Sequence, residues 1–127
     1  MKVTIIGASG FVGSRLAVAL RAQGATVVPA SLRDIEAAAR ACDGADAVVN
    51  LAGENVAQRW SKTAKERIRA SRVDAPRALI ERFSSLRTLP KAYVSASAIG
   101  YYGTSETATF TEASPAGDDF LAQVCVE

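Results

Sequence analysis

Short runs of β-branched and other apolar residues recur along the chain, separated by longer stretches of mixed polarity. Such runs are typical of strands that are buried on both faces of a sheet. Pro29 lies in the second run and cannot donate a ladder hydrogen bond, so this strand should lie near the sheet edge or leave the sheet at its end. The predicted strands cover residues 3–6, 25–31, 46–51 and 91–95.

Between these runs, apolar residues recur at the spacing of one helical face. The first helix is expected to begin at about Val12 and to stop before Gly24. Asp34 can cap the second helix through its side chain. The predicted helical segments are 14–23, 35–41, 61–84 and 120 onward.

Two local signals organise the second half of the chain. Ala75-Pro76 predicts a kink or a division in the long helix, because proline lacks the N–H that a helix interior requires. Residues 104–118 are rich in small polar residues and predict a loop, after which Asp118 or Asp119 can cap the last helix.

Strands that alternate with helices predict an α/β fold, here a Rossmann-like doubly wound parallel sheet in one domain over residues 1–127. The third strand should lie beside the first. Only residues 32–45 separate the second and third strands, which is enough for one crossover helix but not for a further strand and helix. The sheet is therefore expected to be abbreviated or truncated.

The first strand runs directly into glycines spaced three apart. Gly7 allows a tight turn, Gly10 lets the backbone approach a pyrophosphate, and Gly13 lets the next helix pack closely on the strand. The helix then directs its free N–H groups at the phosphates. This spacing is a variant of the usual G-x-G-x-x-G pattern and predicts a dinucleotide site. The site would also include Ser9, Phe11 and Val12.

The end of the second strand indicates which dinucleotide fits. Sites for NAD usually place an acidic residue there, to bind the ribose 2′-hydroxyl. Ser31 and Arg33 stand at this place instead and are suited to a 2′-phosphate, so NADP(H) is favoured over NAD(H). The alternatives are that Arg33 is only a solvated loop residue, or that Asp34 binds the ribose.

The ends of the other strands supply further candidates. Leu51, Ala52 and Gly53 would let the backbone pass close to a cofactor, although an ordinary turn has the same composition. After the fourth strand come hydroxyls suited to carbonyl chemistry, although the serines can equally satisfy local backbone groups. These candidates are Ser95 beside the cofactor, and Ser97, Tyr101 and Tyr102 in catalysis.

Composition excludes several classes of function. A formal charge of +2 gives no argument for nucleic acid or for a membrane surface. The chain has no histidine, which excludes Ser-His-Asp hydrolysis, and Cys42 and Cys125 lack metal-ligand spacing and are expected to be small core residues. With a strand beginning at Val3 and no signal peptide predicted, the expectation is a cytoplasmic protein that acts on a small molecule.

Five segments together resemble the sugar-nucleotide epimerase-like proteins of the extended or atypical short-chain dehydrogenase/reductase superfamily. They are GASGFVG, NLAGENV, RW…SRVDAPRAL, SASAIGYYG and TEASPAGDDFLAQVCVE. The resemblance implies NADP(H) binding, a further substrate-binding part that this fragment lacks, and association into dimers. It also implies that Arg72 is a polar helix residue facing the cofactor and that Ser97 binds the substrate oxygen.

The sequence departs from the superfamily at the proton donor. Active members use Tyr-x-x-x-Lys, in which the lysine lowers the tyrosine pKa, but residues 119–123 are DFLAQ. Two hypotheses follow: an oxidoreductase or epimerase that uses Tyr101 or Tyr102 as a weak donor, or an inactive NADP(H)-binding regulator or scaffold. A methyltransferase is disfavoured, because its cofactor ribose also requires a carboxylate.

Overall fold

The computed structural model describes all 127 residues. They divide into two compact units, an N-terminal unit of residues 1–96 and a C-terminal unit of residues 97–127. The single domain predicted over residues 1–127 covers both units, and the sheet lies entirely in the N-terminal unit. None of the helices combines the length and apolar character needed to span a membrane.

Four parallel strands form one sheet, and they are β1 (Lys2–Ile6), β2 (Thr26–Ala30), β3 (Ala47–Asn50) and β4 (Tyr93–Ser95). Their order in the sheet is β2-β1-β3-β4. The edge position of β2 confirms the interpretation of Pro29, and β3 lies beside β1 as predicted. No further strand separates β2 from β3 in the chain, so the sheet is abbreviated as expected.

The helices begin at the predicted caps. Asp34 Oδ1 accepts the Ala37 N–H and Asp119 Oδ1 accepts the Ala122 N–H, both at 2.9 Å. A π-helical turn, Ala70–Asp74, divides the long helix immediately before the Ala75-Pro76 pair. The helices are α1 (Phe11–Ala22), α2 (Ile35–Cys42), α3 (Lys62–Arg69), α4 (Ala75–Arg82) and α5 (Phe120–Val126), with short 3₁₀ turns at Phe83–Ser85 and Ile99–Tyr102.

Strand β1 is buried on both faces of the sheet. Val3 and Ile5 pack with Ala17 of α1, whereas Ile6 packs with Leu79 of α4 in a cluster that also includes α2. Helices therefore cover both faces, which confirms the doubly wound Rossmann-like fold. The neighbouring strands β2 and β3 and the helices on both faces fix the position of the carboxyl end of β1. The chain turns sharply at this end.

Cys42 belongs to the core as expected. It is fully buried, and burial raises the pKa of its thiol to about 11, although the Lys2 charge acts in the opposite direction. Cys125 is partly buried, and both cysteines are free. A thiol that is fully buried among apolar side chains is out of reach of a substrate, so Cys42 is a structural core residue.

Candidate dinucleotide-binding site

A cleft of about 590 Å³ opens at the carboxyl ends of β1, β2 and β3. Ligands of open α/β sheets bind at this edge, where the strand order reverses. The volume is in the range typical of small-molecule sites, about 300–1,000 Å³. The lining residues are Gly7, Ser9 and Gly10 after β1, Ala30–Arg33 after β2, Leu51–Glu54 after β3, and Arg67, Ala70, Ser71 and Ala75 from the helical side.

A backbone hydrogen bond closes the glycine turn after β1. Gly7 has a φ of +84°, in the left-handed region that favours glycine, and its carbonyl accepts the Gly10 N–H at 3.0 Å. A Cβ on Gly13 would lie 2.2 Å from the Gly7 oxygen, so only glycine lets α1 pack this closely. Gly7 and Gly10 line the cleft, whereas Gly13 is buried beneath the turn.

The N-terminus of α1 is open to a ligand. Gly10 is its N-cap residue, no side chain caps the helix, and no acidic residue lies in its first turn. Uncapped N–H groups and the positive end of the helix dipole favour an anion there. Ser9 lines the cleft, but Phe11 and Val12 do not, and their side chains are 78% and 58% exposed.

Two residues after β2 that the sequence predicted to bind a cofactor line the cleft. Ser31 and Arg33 are exposed on its wall, and the Arg33 N–H donates to Ser31 Oγ at 3.3 Å. Asp34 caps α2 and is not among the lining residues. The end of β2 therefore presents a guanidinium and a hydroxyl to the cleft, and no carboxylate.

The segment after β3 is held beside the glycine turn. The Leu51 N–H donates to the Ile6 carbonyl at 2.9 Å, and Asn50 Oδ1 accepts the Ala52 N–H at 3.2 Å. Asn50 is buried next to Tyr93, whose pKa is raised by burial and lowered to a lesser extent by Asn50. These contacts fix the path of Leu51 and Ala52 along the cleft.

Arg72 contacts the segment that follows rather than the cleft itself. Its Nη1 donates to the Glu54 carbonyl at 2.8 Å, and a Cβ on Gly53 would lie 2.8 Å from its Cζ. Gly53 and Glu54 line the cleft, whereas Arg72 does not. Ser71, which the sequence did not single out, does line it and accepts the Glu54 N–H at 2.9 Å.

Sequence reasoning also missed a polar network at the cleft. Arg67 Nε lies 3.5 Å from Glu54 Oε1, and both side chains are partly exposed. Gln58 joins them, donating to Glu54 Oε1 and accepting from Arg67 Nη2, each at 3.1 Å. Nothing in the sequence distinguishes Arg67 from the other basic residues of its helix.

The remaining candidates lie at the end of β4 and in the C-terminal unit. Ser95 pairs with Asn50 in the sheet, is exposed and does not line the cleft. In the C-terminal unit Ser97 is exposed, and the rings of Tyr101 and Tyr102 meet edge to face at 5.1 Å. The Tyr102 ring also stacks on Phe110 at 5.3 Å.

Helix α5 follows its N-cap residue Asp119, and residues 119–123 contain neither tyrosine nor lysine. Phe120 and Leu121 begin it, and Gly100 of the preceding 3₁₀ turn lies against Leu121. The C-terminal unit has no lysine and no arginine anywhere in residues 97–127.

Comparison with known proteins identifies the family of the chain. The model of the NAD dependent epimerase/dehydratase family matches residues 3–120. The chain belongs to that family. This confirms the resemblance found in the sequence, and solved structures of similar proteins share the Rossmann-like fold.

Individual relatives are similar across the whole chain. An epimerase family protein SDR39U1 homolog from Arabidopsis thaliana is 37% identical over 100% of this chain and 43% of its own length. The structure of human SDR39U1 with NADPH has a TM-score of 0.84 at 31% identity, covering 99% of this chain and 46% of that one. The structure of a nucleoside-diphosphate sugar epimerase from Corynebacterium glutamicum has a TM-score of 0.79 at 34% identity, covering 99% of this chain and 29% of that one. The chain thus spans less than half the length of these relatives.

Proposed function

We propose that the cleft binds NADP(H) in preference to NAD(H), and that the chain is the cofactor-binding part of an epimerase-like oxidoreductase. The observation that supports this is the wall formed after β2. Ser31 and Arg33 line it, and Asp34 is used as a helix cap. A guanidinium binds phosphate oxygens in a bidentate manner, and this charge-assisted pairing is stronger than the single hydrogen bond that a ribose hydroxyl can accept.

The residues present fit such a cofactor. A Cβ on Gly7 would lie 3.1 Å from the Ala52 nitrogen, and a Cβ on Gly10 would lie 3.2 Å from the Gly7 oxygen, so both glycines keep the turn tight. The uncapped N-terminus of α1 would hold the pyrophosphate. Ser31 and Arg33 would hold the 2′-phosphate. Ser9, Leu51, Ala52 and Gly53 would line the remainder of the site. A bound nicotinamide dinucleotide supplies the hydride.

The relatives support the same cofactor and a sugar-like substrate. The human SDR39U1 structure contains NADPH, and the Corynebacterium protein is described as a nucleoside-diphosphate sugar epimerase. We propose a sugar-like or other small carbonyl substrate, with Ser97 orienting its oxygen and Tyr101 or Tyr102 donating a proton. Location in the cytoplasm remains a prediction from the sequence.

A second function is favoured by one observation, the absence of Tyr-x-x-x-Lys from α5. A regulator that binds NADP(H) without chemistry would need only the N-terminal unit's cleft. It would bind NADPH, turn over no carbonyl or sugar-nucleotide substrate, and be indifferent to Ser97→Ala. The oxidoreductase instead loses turnover in that variant while cofactor binding is unchanged.

Arg33→Ala tests the cofactor assignment. Removal of the guanidinium should weaken NADPH binding by about tenfold or more and leave NADH binding nearly unchanged, because only NADPH has the 2′-phosphate. The measurement is calorimetric titration of each dinucleotide into the wild type and the variant. The matched control is Arg21→Ala, an exposed arginine in the last turn of α1 that does not line the cleft. Equal weakening of both dinucleotides, or tighter binding of NADH by the wild type, would contradict the assignment.

A further inference from the structure

We infer that Arg72 is a positioning residue of the dinucleotide site, acting with Ser71 to hold the Gly53–Glu54 segment in place as part of the cleft wall. The inference rests on the function proposed above. Arg72 does not line the cleft, so its effect on a ligand must pass through the segment that it contacts.

Both backbone polar groups of Glu54 are bound by neighbouring residues of the helical segment. Ser71 Oγ accepts the Glu54 N–H at 2.9 Å, and Arg72 Nη1 donates to the Glu54 carbonyl at 2.8 Å. The Ser71 hydroxyl in turn donates to the Ile68 carbonyl at 2.9 Å, which fixes its orientation. A cleft segment that lies outside the sheet is thereby tied to a helix.

Gly53 lets the guanidinium of Arg72 come this close. A Cβ at this position would lie 2.8 Å from both Cζ and Nη2 of Arg72, and 3.1 Å from Nη1. Real Cβ atoms essentially never approach other heavy atoms so closely. An alanine here would push the flexible guanidinium away, and the bond to the Glu54 carbonyl would be lost with it.

Ser71 and Arg72 both belong to the π-helical turn, which runs beside the cleft. The Ala75 N–H donates to the Ala70 carbonyl five residues back, and Pro76 has no N–H to continue the α-helical pattern. Small residues of this region, Ala70, Ser71 and Ala75, line the cleft, while Arg72 reaches Glu54 beside it. Such turns often occur at functional sites.

The test compares NADPH affinities in a double-variant cycle. Arg72→Ala and Gly53→Ala should each weaken NADPH binding by about five- to tenfold, because each removes the same charge-assisted hydrogen bond. The double variant should be no weaker than either single one, since the bond can be lost only once. Arg72→Lys, which keeps a cationic donor, should recover part of the affinity.

The matched control is Arg77→Ala, an exposed arginine of α4 that does not line the cleft, which should bind as the wild type does. A thermal melt of each variant verifies that it is folded. Wild-type affinity in Arg72→Ala, additive losses in the double variant, or no recovery in Arg72→Lys would each overturn the inference. A wild type that does not bind NADPH overturns the proposed function itself, so the two failures are distinguished by the first titration.

Discussion

Gly13→Ala is expected to lower the free energy of unfolding by roughly 3–5 kcal/mol, the range of severe single-residue defects. The new Cβ would lie 2.2 Å from the oxygen and 2.9 Å from the carbon of the Gly7 carbonyl. Both are backbone atoms of the turn that β1 enters, so no side-chain rotation relieves the clash. Helix α1 would have to move away from β1.

Urea denaturation of the variant and the wild type measures this loss. Gly24→Ala is the matched control, because Gly24 has a φ of +80° and, apart from its two chain neighbours, nothing lies within 4 Å of the position that its Cβ would take. Its cost should be limited to backbone strain, about 1–2 kcal/mol. A Gly13→Ala variant that loses no more stability than Gly24→Ala would contradict the close packing of α1 on the turn.

Leu79→Ala is expected to lower the free energy of unfolding by about 2–5 kcal/mol. Leu79 of α4 is 0% exposed and packs in the cluster that includes Ile6, Ala38 and Val48. Truncation would leave a cavity between α4, α2 and the sheet, and the surrounding elements cannot close it fully.

The neighbouring Ile80 provides the comparison for Leu79. Ile80 is an aliphatic residue of the same helix but is 43% exposed, so Ile80→Ala should cost less than about 1 kcal/mol. Urea denaturation of the two variants measures the difference. Equal losses would mean that α4 does not present Leu79 to the core as described.

Local signals explain which features the sequence predicted well. Val3 and Ile5 alternate with Thr4 and Ile6 in a run that is buried on both faces. Such a run predicts a strand from its own residues, without knowledge of the strands that pair with it. Asp34 and Asp119 cap helices by accepting the backbone N–H of the residue three positions later. Pro29 restricts its strand to the sheet edge because proline cannot donate a ladder hydrogen bond. Each of these signals lies within a few residues of the feature that it predicts.

The missed features depend on pairs distant in sequence. Arg72 and Glu54 are 18 residues apart, and whether the guanidinium meets a ligand or a backbone carbonyl depends on how the helix crosses the sheet. The sequence resemblance predicted that the Arg72 guanidinium faces a cofactor, and the structure shows that it is bonded to the Glu54 carbonyl. Ser71 and Arg67 also line the cleft because of how their helical segment crosses the sheet. The division of the chain after Ala96 likewise has no local signal.

An NMR titration that follows the backbone amides as NADPH is added tests whether this cleft is the dinucleotide site. We expect the largest shift changes in residues 7–12 and 31–33, with Leu51–Glu54 also affected. Gly24 and Gly44, which do not line the cleft, should change little. Absent or non-saturating changes, or changes confined to residues outside the cleft, would contradict the assignment of this cleft as the dinucleotide site.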